Sequence, residues 1–296
     1  MGLAELLAGN APILLDGAMG TQLAVLGLEM GGQNSLSHPD AVLAVHQRYC
    51  ESGCNILTTN TLTMNRIFIE THHVGVDVRE VNVAGAKLAR AAAGTNRYVL
   101  GNISSTGQML EPYGDCTEAQ FYDAFREQAE ALLAGGVDGF KVETMLDLRE
   151  ALIAVRACRD TAPLPVTAAL AFQTTERGGR TVMGNAARES ALALAEAGAS
   201  AVGANCGGLE PQEIAVIVRL IKDAVGLPII AQPNAGRPRL VGTRTVFDMT
   251  EDDFANGIAE CLRAGACIVG GCCGTTPAHI RRVAEQLRKI NPSQPV

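Results

Sequence analysis

A closed barrel of eight parallel strands and eight helices, the (β/α)8 or TIM barrel of the α/β class, is the fold class that the sequence predicts. Three observations predict it: a length of 296 residues, eight short apolar runs, and a stretch with helical spacing after each run. An open doubly wound sheet is the alternative, because periodicity does not prove closure. No linker or shift in composition divides the chain. We therefore predict a single domain over residues 1–296.

A weak internal repeat marks where strands follow helices. In each copy, a helical stretch is followed by a glycine and then by a short apolar run that ends in polar residues. The clearest copies cover residues 51–60, 133–143, 196–206 and 263–273. The glycine provides the left-handed conformation that ends a helix, and the continuous apolar run is typical of a strand buried on both faces.

The predicted elements alternate along the chain. Strands are expected at residues 13–15, 56–59, 98–103, 139–142, 166–172, 201–204, 229–232 and 268–271. Helices are expected at residues 40–52, 77–93, 118–134, 148–159, 187–197, 211–224, 250–264 and 277–289. Apolar residues recur at helical spacing within them, as Val42, Val45 and Tyr49 do in the first. Helix-start signals are found at Pro39-Asp40, Thr117-Glu118, Glu210-Pro211, Thr250-Glu251 and Thr276-Pro277.

Composition and charge argue against several classes of function. The formal net charge is −7 and the pI is about 5.3, which disfavours nucleic-acid binding. No apolar run approaches the roughly 18 residues of a membrane helix. The first basic residue is Arg48, so no signal peptide is expected. We expect a soluble, cytoplasmic protein that binds neither nucleic acid nor a membrane, and the sequence leaves its oligomeric state open.

Functional residues are expected at the carboxyl ends of the strands, which is where both candidate architectures place them. The residues at those ends are Asp16, Asn60, Ser104, Glu143, Gln173, Cys206, Asn234, Cys272 and Cys273. They include three of the nine cysteines and two carboxylates. Nine is an odd number, and in the cytoplasm it indicates free thiols with metal or catalytic chemistry.

Three cysteines are expected to converge at that edge of the barrel. Cys206 closes the sixth strand, and Cys272 and Cys273 close the eighth. Adjacent cysteines do not form an ordinary disulfide, since their Cα atoms are about 3.8 Å apart and a disulfide spans about 4.4–6.8 Å. Three thiolates with one open position are typical of a catalytic zinc site. The plain alternative is that the small apolar thiols only fill space.

Asp16 and Glu143 end the first and fourth strands. Together they could hold an ammonium group, while the backbone N–H groups of Gly17 and Ala18 take a carboxylate. That arrangement would be an amino-acid pocket beside the metal. The plain alternatives are turn chemistry at Asp16 and a helix cap at Glu143. Lys141 lies on the same face of its strand as Glu143, which alone does not indicate a Schiff base.

Six motifs, in order along nearly the whole chain, resemble the zinc-dependent homocysteine S-methyltransferase family. Within it, the likeness is greatest to the N-terminal homocysteine-binding barrels of cobalamin-dependent methionine synthases. The motifs are Asp16-Gly-Ala-Met-Gly-Thr-Gln22, Thr59-Asn-Thr61 with Asn65-Arg66, Glu143-Thr-Met145, Gly203-Ala-Asn-Cys206, Pro233-Asn-Ala-Gly236 and Gly270-Gly-Cys-Cys-Gly-Thr-Thr-Pro277.

This resemblance implies a TIM barrel that binds one Zn²⁺ through Cys206, Cys272 and Cys273. It also implies that Asn234 is close enough to fill the fourth zinc position before substrate arrives. The reaction would transfer a methyl group to the zinc-bound thiolate of L-homocysteine to give methionine.

The same resemblance implies the contacts of the acceptor. Asp16 and Glu143 would bind the amino group of homocysteine, and the backbone at Gly17 and Ala18 would bind its carboxylate.

The methyl donor is left open by the sequence. The first expectation is methylcobalamin, a methylated corrinoid, on a separate protein, and the second is S-methylmethionine or S-adenosylmethionine. Two further alternatives are a different thiol acceptor and a non-catalytic zinc-binding subunit that docks a corrinoid protein.

Two segments depart from the pattern of the family. The chain has Ser104-Ser105 where Gly-Pro is usual, and Leu62-Thr63-Met64 where an aromatic and small residues are typical. Both segments end barrel strands, so they bear on the identity of the substrate or the donor.

Overall fold

Eight short parallel strands form one sheet in the computed structural model, which describes residues 2–9, 11–242 and 244–290. The strands, numbered β1 to β8 in chain order, are Ile13–Leu14, Ile56–Thr58, Tyr98–Ile103, Gly139–Met145, Val166–Leu170, Ala201–Asn205, Ile229–Gln232 and Ile268–Val269. Each lies beside its neighbour in the chain, and β1 also pairs with β8. All eight predicted strands are therefore confirmed, with differences of one to three residues at some ends.

The sheet closes on itself between β1 and β2. Leu15 and Ile56 form a parallel bridge. The Asp16 N–H donates to the Ile56 carbonyl at 3.1 Å, and the Asn55 N–H donates to the Leu14 carbonyl at 2.7 Å. These bonds continue the parallel ladder around the full circle, so the closed barrel is confirmed and the open doubly wound sheet is not the fold.

Helices cover the outside of this barrel. Numbered α1 to α12, they are Leu3–Leu7, Gly20–Val25, Asn34–Ser37, Pro39–Glu51, Arg66–Thr71, Val78–Ala93, Glu118–Ala134, Leu148–Thr161, Ala187–Glu196, Pro211–Lys222, Glu251–Ala264 and Pro277–Ile290. The eight helices predicted from periodicity are confirmed to within two residues at each end. Four short ones, α1, α2, α3 and α5, were not predicted, since they are too short for a periodic pattern.

Local sequence sets the helix ends. The Thr117 hydroxyl accepts the N–H of Gln120 at 3.3 Å, and the Gln120 side chain accepts the Thr117 N–H at 2.8 Å. This capping box starts α7. At the other end of a helix, Gly265 has φ +112° and ends α11, so the chain can turn directly into β8.

The barrel interior is apolar at its amino-terminal end and polar at its carboxyl end. Leu3 and Leu7 of α1 pack against the first residues of the strands, among them Ile13 and Ile268. This cluster closes the amino-terminal end. A larger apolar cluster fills the space between strands and helices. The buried polar side chains at the carboxyl end therefore require partners, and they form the candidate site.

Two hairpins extend from the carboxyl end of the barrel. Phe172–Thr174 pairs with Arg180–Thr181, and Arg239–Val241 pairs with Arg244–Val246. The first corrects the predicted fifth strand, which ends at Leu170 rather than at residue 172. No helix in the described ranges has both the length and the apolar character that crossing a bilayer requires.

Candidate active site

Three thiols meet where β6 and β8 end. The Sγ atoms of Cys206, Cys272 and Cys273 all lie within 4.8 Å of one another, and those of Cys206 and Cys273 are 3.9 Å apart. In the described part of the chain, this is the only group of three or more His, Cys, Asp or Glu side chains that converges in this way.

The chain leaves β8 early enough for two adjacent cysteines to face one point. The strand ends at Val269, two residues before its predicted end. The Thr275 hydroxyl donates to the Cys272 carbonyl at 2.7 Å and closes a turn. Gly271 is needed there, because a Cβ at this position would lie 2.4 Å from Thr275 Oγ1. The turn frees both thiols from the alternation of a strand.

Two residues that are not glycine adopt left-handed backbone conformations at this edge. Cys206 has φ +55° and Thr144 has φ +58°, which costs roughly 1–2 kcal/mol for each residue. Asn205 holds both segments: its Oδ1 accepts the Thr144 N–H at 2.8 Å, and its Nδ2 donates to Thr144 Oγ1 at 2.7 Å. The strained backbone therefore fixes the directions of Cys206 and of Glu143, which precedes Thr144.

The pKa of each thiol in this cluster depends on the neighbouring cysteines. The hydrogen bond between Cys206 and Cys272 lowers the pKa of Cys206, but the hydrogen bond to Cys273, burial and the charge of Cys273 raise it to about 12 overall. The same hydrogen bond with Cys206, together with burial, raises the pKa of Cys272 well above its usual range. Three thiolates at this spacing therefore need a cation, and soft sulfur donors fit Zn²⁺.

Asn234 lies after β7, between the two cysteine-bearing strands. Its Nδ2 donates to the Gly207 carbonyl at 3.0 Å, next to Cys206. Its Oδ1 is buried and makes no hydrogen bond to any described residue. Buried acceptors are normally paired, so this oxygen is available as a further donor atom for a metal.

Asp16 and Glu143 lie inside the barrel mouth, where both are buried. Asp16 Oδ2 accepts the Thr58 N–H at 2.7 Å, and Oδ1 accepts the Thr58 hydroxyl at 2.9 Å. Burial raises the pKa of Asp16 to about 7, although Lys141 and Thr58 lower it. Glu143 Oε2 accepts from Asn205 Nδ2 at 3.2 Å. Its stronger partner is Lys141, whose Nζ lies 2.7 Å from the same oxygen.

The backbone at Gly17 and Ala18 is packed against Thr275. The Ala18 N–H donates to Thr275 Oγ1 at 3.0 Å, and the Ala18 carbonyl accepts the Tyr49 hydroxyl at 2.7 Å. A Cβ on Gly17 would lie 2.7 Å from Thr275 Oγ1, so glycine permits the close approach. The Ala18 N–H that we expected to face a carboxylate thus already has a partner.

One cavity of about 340 Å³ joins these groups. Its walls include the three cysteines, Asp16, Gly17, Ala18, Thr58, Asn60, Lys141, Glu143 and Gln232. Three residues expected at the same edge, Ser104, Gln173 and Asn234, are not among those lining it.

The segment that departs from the family pattern after β3 is held from outside the cavity. Glu150 of α8 accepts the Ser105 hydroxyl at 2.9 Å, the Thr106 N–H at 2.7 Å and the Thr106 hydroxyl at 2.9 Å. Ser104 is buried, and its carbonyl accepts from Asn65. These bonds give Ser104 and Ser105 a structural role in shaping the loop.

Several residues of the site were not singled out from the sequence. Asn205 and Thr275 belong to motifs that carry cysteines, and Thr58 ends β2. Lys141 was noted from the sequence, since its spacing from Glu143 places both side chains on one face of β4, but its ion pair with Glu143 was not predicted. The hydrogen-bond partners of these residues could not be predicted, because they depend on the register between strands.

The comparisons with known sequences agree with this geometry. A model of the family described as homocysteine S-methyltransferase matches residues 13–287. The methionine synthase of Mycobacterium tuberculosis is 31% identical over an alignment of 296 positions that covers 93% of this chain and 24% of that protein. The methionine synthase of Mycobacterium leprae is also 31% identical, with the same coverage. The chain thus spans about a quarter of the length of these relatives.

Solved structures share the fold. The homocysteine methyltransferase MmuM of Escherichia coli in its metallated form matches with a TM-score of 0.76 at 22% identity, covering 95% of this chain and 98% of that one. The carboxyl transferase domain of Rhizobium etli pyruvate carboxylase with pyruvate matches with a TM-score of 0.57 at 15% identity, covering 97% of this chain and 49% of that one.

Proposed function

Because the chain belongs to the homocysteine S-methyltransferase family and is thus a thiol S-methyltransferase, we propose that it methylates L-homocysteine at a zinc site to give methionine. The observation that carries this proposal is the convergence of three half-buried thiols in one cavity with two buried carboxylates, Asp16 and Glu143. Cys206, Cys272 and Cys273 would hold one Zn²⁺, with Asn234 Oδ1 as a further donor.

The chemistry needs a thiolate in the cavity and no separate base. When bound, the zinc ion would make the acceptor thiol acidic enough to lose its proton near neutral pH. The thiolate sulfur then forms a bond to the methyl carbon while the bond between that carbon and the donor breaks. The chain holds the acceptor, with Asp16 and Glu143 as the carboxylates nearest its amino group and Gly17 beside its carboxylate.

Rigid placement is what the protein adds to this reaction. The cysteines, Asp16 and Glu143 all lie at strand ends, and Asn205 links the segments of Glu143 and Cys206. An acceptor held this way keeps its sulfur directed toward the open end of the barrel, where a donor can approach. Holding reacting groups in line supplies a large share of the catalysis in such transfers.

We propose further that the donor is a methylated corrinoid carried by a separate protein. The 31% identity to two methionine synthases and the motifs shared with cobalamin-dependent methionine synthases support this. Exposed apolar side chains also lie on the loops and hairpins that follow the barrel strands: Met30, Leu62, Met109, Leu146, Met183 and Leu240. A sulfonium donor is less favoured, because no aromatic ring from the described residues lines the cavity to bind its positive charge.

Zinc K-edge X-ray absorption of the purified protein, with and without L-homocysteine, tests the proposed function. We expect a change from three sulfur ligands and one light atom to four sulfur ligands. The Cys272→Ala variant should lose zinc while its far-UV circular dichroism is unchanged. Cys116→Ala, which removes a thiol outside the cluster, is the matched control and should retain zinc. Full zinc content in Cys272→Ala, or a spectrum unchanged by homocysteine, would contradict the proposal.

A further inference from the structure

Lys141 places an ammonium group of the protein inside the acceptor cavity. It lies on β4 two residues before Glu143, and both side chains point into the barrel. Its Nζ is 2.7 Å from Glu143 Oε2, and the side chains are only 3% and 9% exposed. A buried ammonium group must be paired, and this is the only ion pair that Lys141 forms with a described residue.

The same ammonium group connects the two carboxylates that were expected to hold the acceptor. Thr58 Oγ1 lies 3.5 Å from Lys141 Nζ and donates its own proton to Asp16 Oδ1. The second Asp16 oxygen accepts the Thr58 N–H. Glu143, Lys141, Thr58 and Asp16 therefore form one continuous network inside the cavity.

An acceptor with an α-ammonium group would compete with this network. To bind Glu143 Oε2 it must share the oxygen with Lys141 or displace Lys141, and displacement leaves a buried charge without its carboxylate. That cost reduces the binding free energy that the acceptor's ammonium group contributes in the cavity. An acceptor without an ammonium group leaves the network intact and has no such cost.

Resting on the proposed function, we propose that Lys141 takes the position of the acceptor's ammonium group. The cavity therefore accepts thiol carboxylates that lack an α-amino group about as well as it accepts L-homocysteine. Lys141 is thus a specificity-determining residue, and its effect is to widen the range of acceptors.

A matched pair of thiols measures the contribution of the ammonium group to binding. L-Homocysteine and 4-mercaptobutanoate differ only in the α-amino group. Both are titrated into the cobalt-substituted protein, and their dissociation constants are read from the sulfur-to-cobalt charge-transfer absorption. We expect the two constants to agree within about tenfold in the natural protein. In Lys141→Met, whose side chain is unbranched, uncharged and one atom shorter, we expect homocysteine to gain roughly tenfold or more over 4-mercaptobutanoate.

The inference stays testable if Lys141→Met folds poorly, because the ratio of the two dissociation constants in the natural protein is itself a test. In the Lys141→Met/Glu143→Gln variant neither partner is charged, so the advantage gained by homocysteine should be lost again. A preference of the natural protein for homocysteine well above tenfold would overturn the inference, as would an unchanged ratio in Lys141→Met. If neither thiol alters the cobalt spectrum, the proposed function itself fails and the inference fails with it.

Discussion

The ion pair between Lys141 and Glu143 should dominate the electrostatic part of the protein's stability at this site. With 2.7 Å between the charged atoms, an effective dielectric constant of about 20 gives an attraction of about 6 kcal/mol. Desolvation of the two groups offsets most of it. Glu143→Gln leaves Lys141 buried without a carboxylate partner, and we expect a loss of about 3–5 kcal/mol in unfolding free energy. Replacing both residues, as in Lys141→Met/Glu143→Gln, should cost much less than the two single changes added together.

A double-mutant cycle measured by urea unfolding of the reduced, metal-loaded protein gives the coupling energy. We expect about 3 kcal/mol or more for this pair. The matched control is the exposed pair of Arg149 and Glu118, 3.1 Å apart with side chains 48% and 55% exposed. Its coupling energy should stay below about 1 kcal/mol. Equal coupling energies for the two pairs would refute the reasoning that burial makes the Lys141 pair strong.

Two further predictions concern groups around the cavity. The pKa of Asp16 is raised from 3.8 to about 7 by burial, so its contribution to stability is present in full below about pH 4 and is lost as the pH rises through about 7. The unfolding free energy of the natural protein minus that of Asp16→Asn should therefore fall from pH 4 to pH 8, and a rise in urea titrations would contradict this. Glu150→Ala removes three hydrogen bonds and leaves the buried Thr106 N–H unpaired, which should cost about 2–4 kcal/mol. Glu130→Ala, on an exposed ion pair, is the control and should cost less than about 1 kcal/mol.

The eight strands and eight long helices could be predicted because their signals are local. A continuous apolar run after a glycine, as at Gly265 before Ile268, carries its information within a few residues. The short helices and both hairpins have no periodic apolar pattern from which they could be predicted. The hairpin that begins at Phe172 continues the apolar pattern of β5 and was therefore expected as part of that strand.

The candidate site could be predicted only as a set of positions. Barrel topology brings strand ends together, so the convergence of Cys206 with Cys272 and Cys273 followed from the count of strands. Which hydrogen bonds those residues form did not follow. The pairing of the Ala18 N–H with Thr275 joins residues 257 positions apart, and it depends on the exact register of β1 against β8.

Ser104-Ser105, one of the two departures from the family pattern, and Lys141 differ in their expected effect on the acceptor. Ser104 and Ser105 were conspicuous because they interrupt a motif, yet their bonds to Asn65 and Glu150 lie outside the lining of the cavity. Lys141 interrupts no motif, but it lies within 3 Å of the carboxylate expected to bind substrate. A charged residue on the inward face of a barrel strand is screened less by solvent than one at the surface, so it interacts strongly with a charged group that enters the cavity. Acceptor choice should therefore depend more on Lys141 than on the loop after β3.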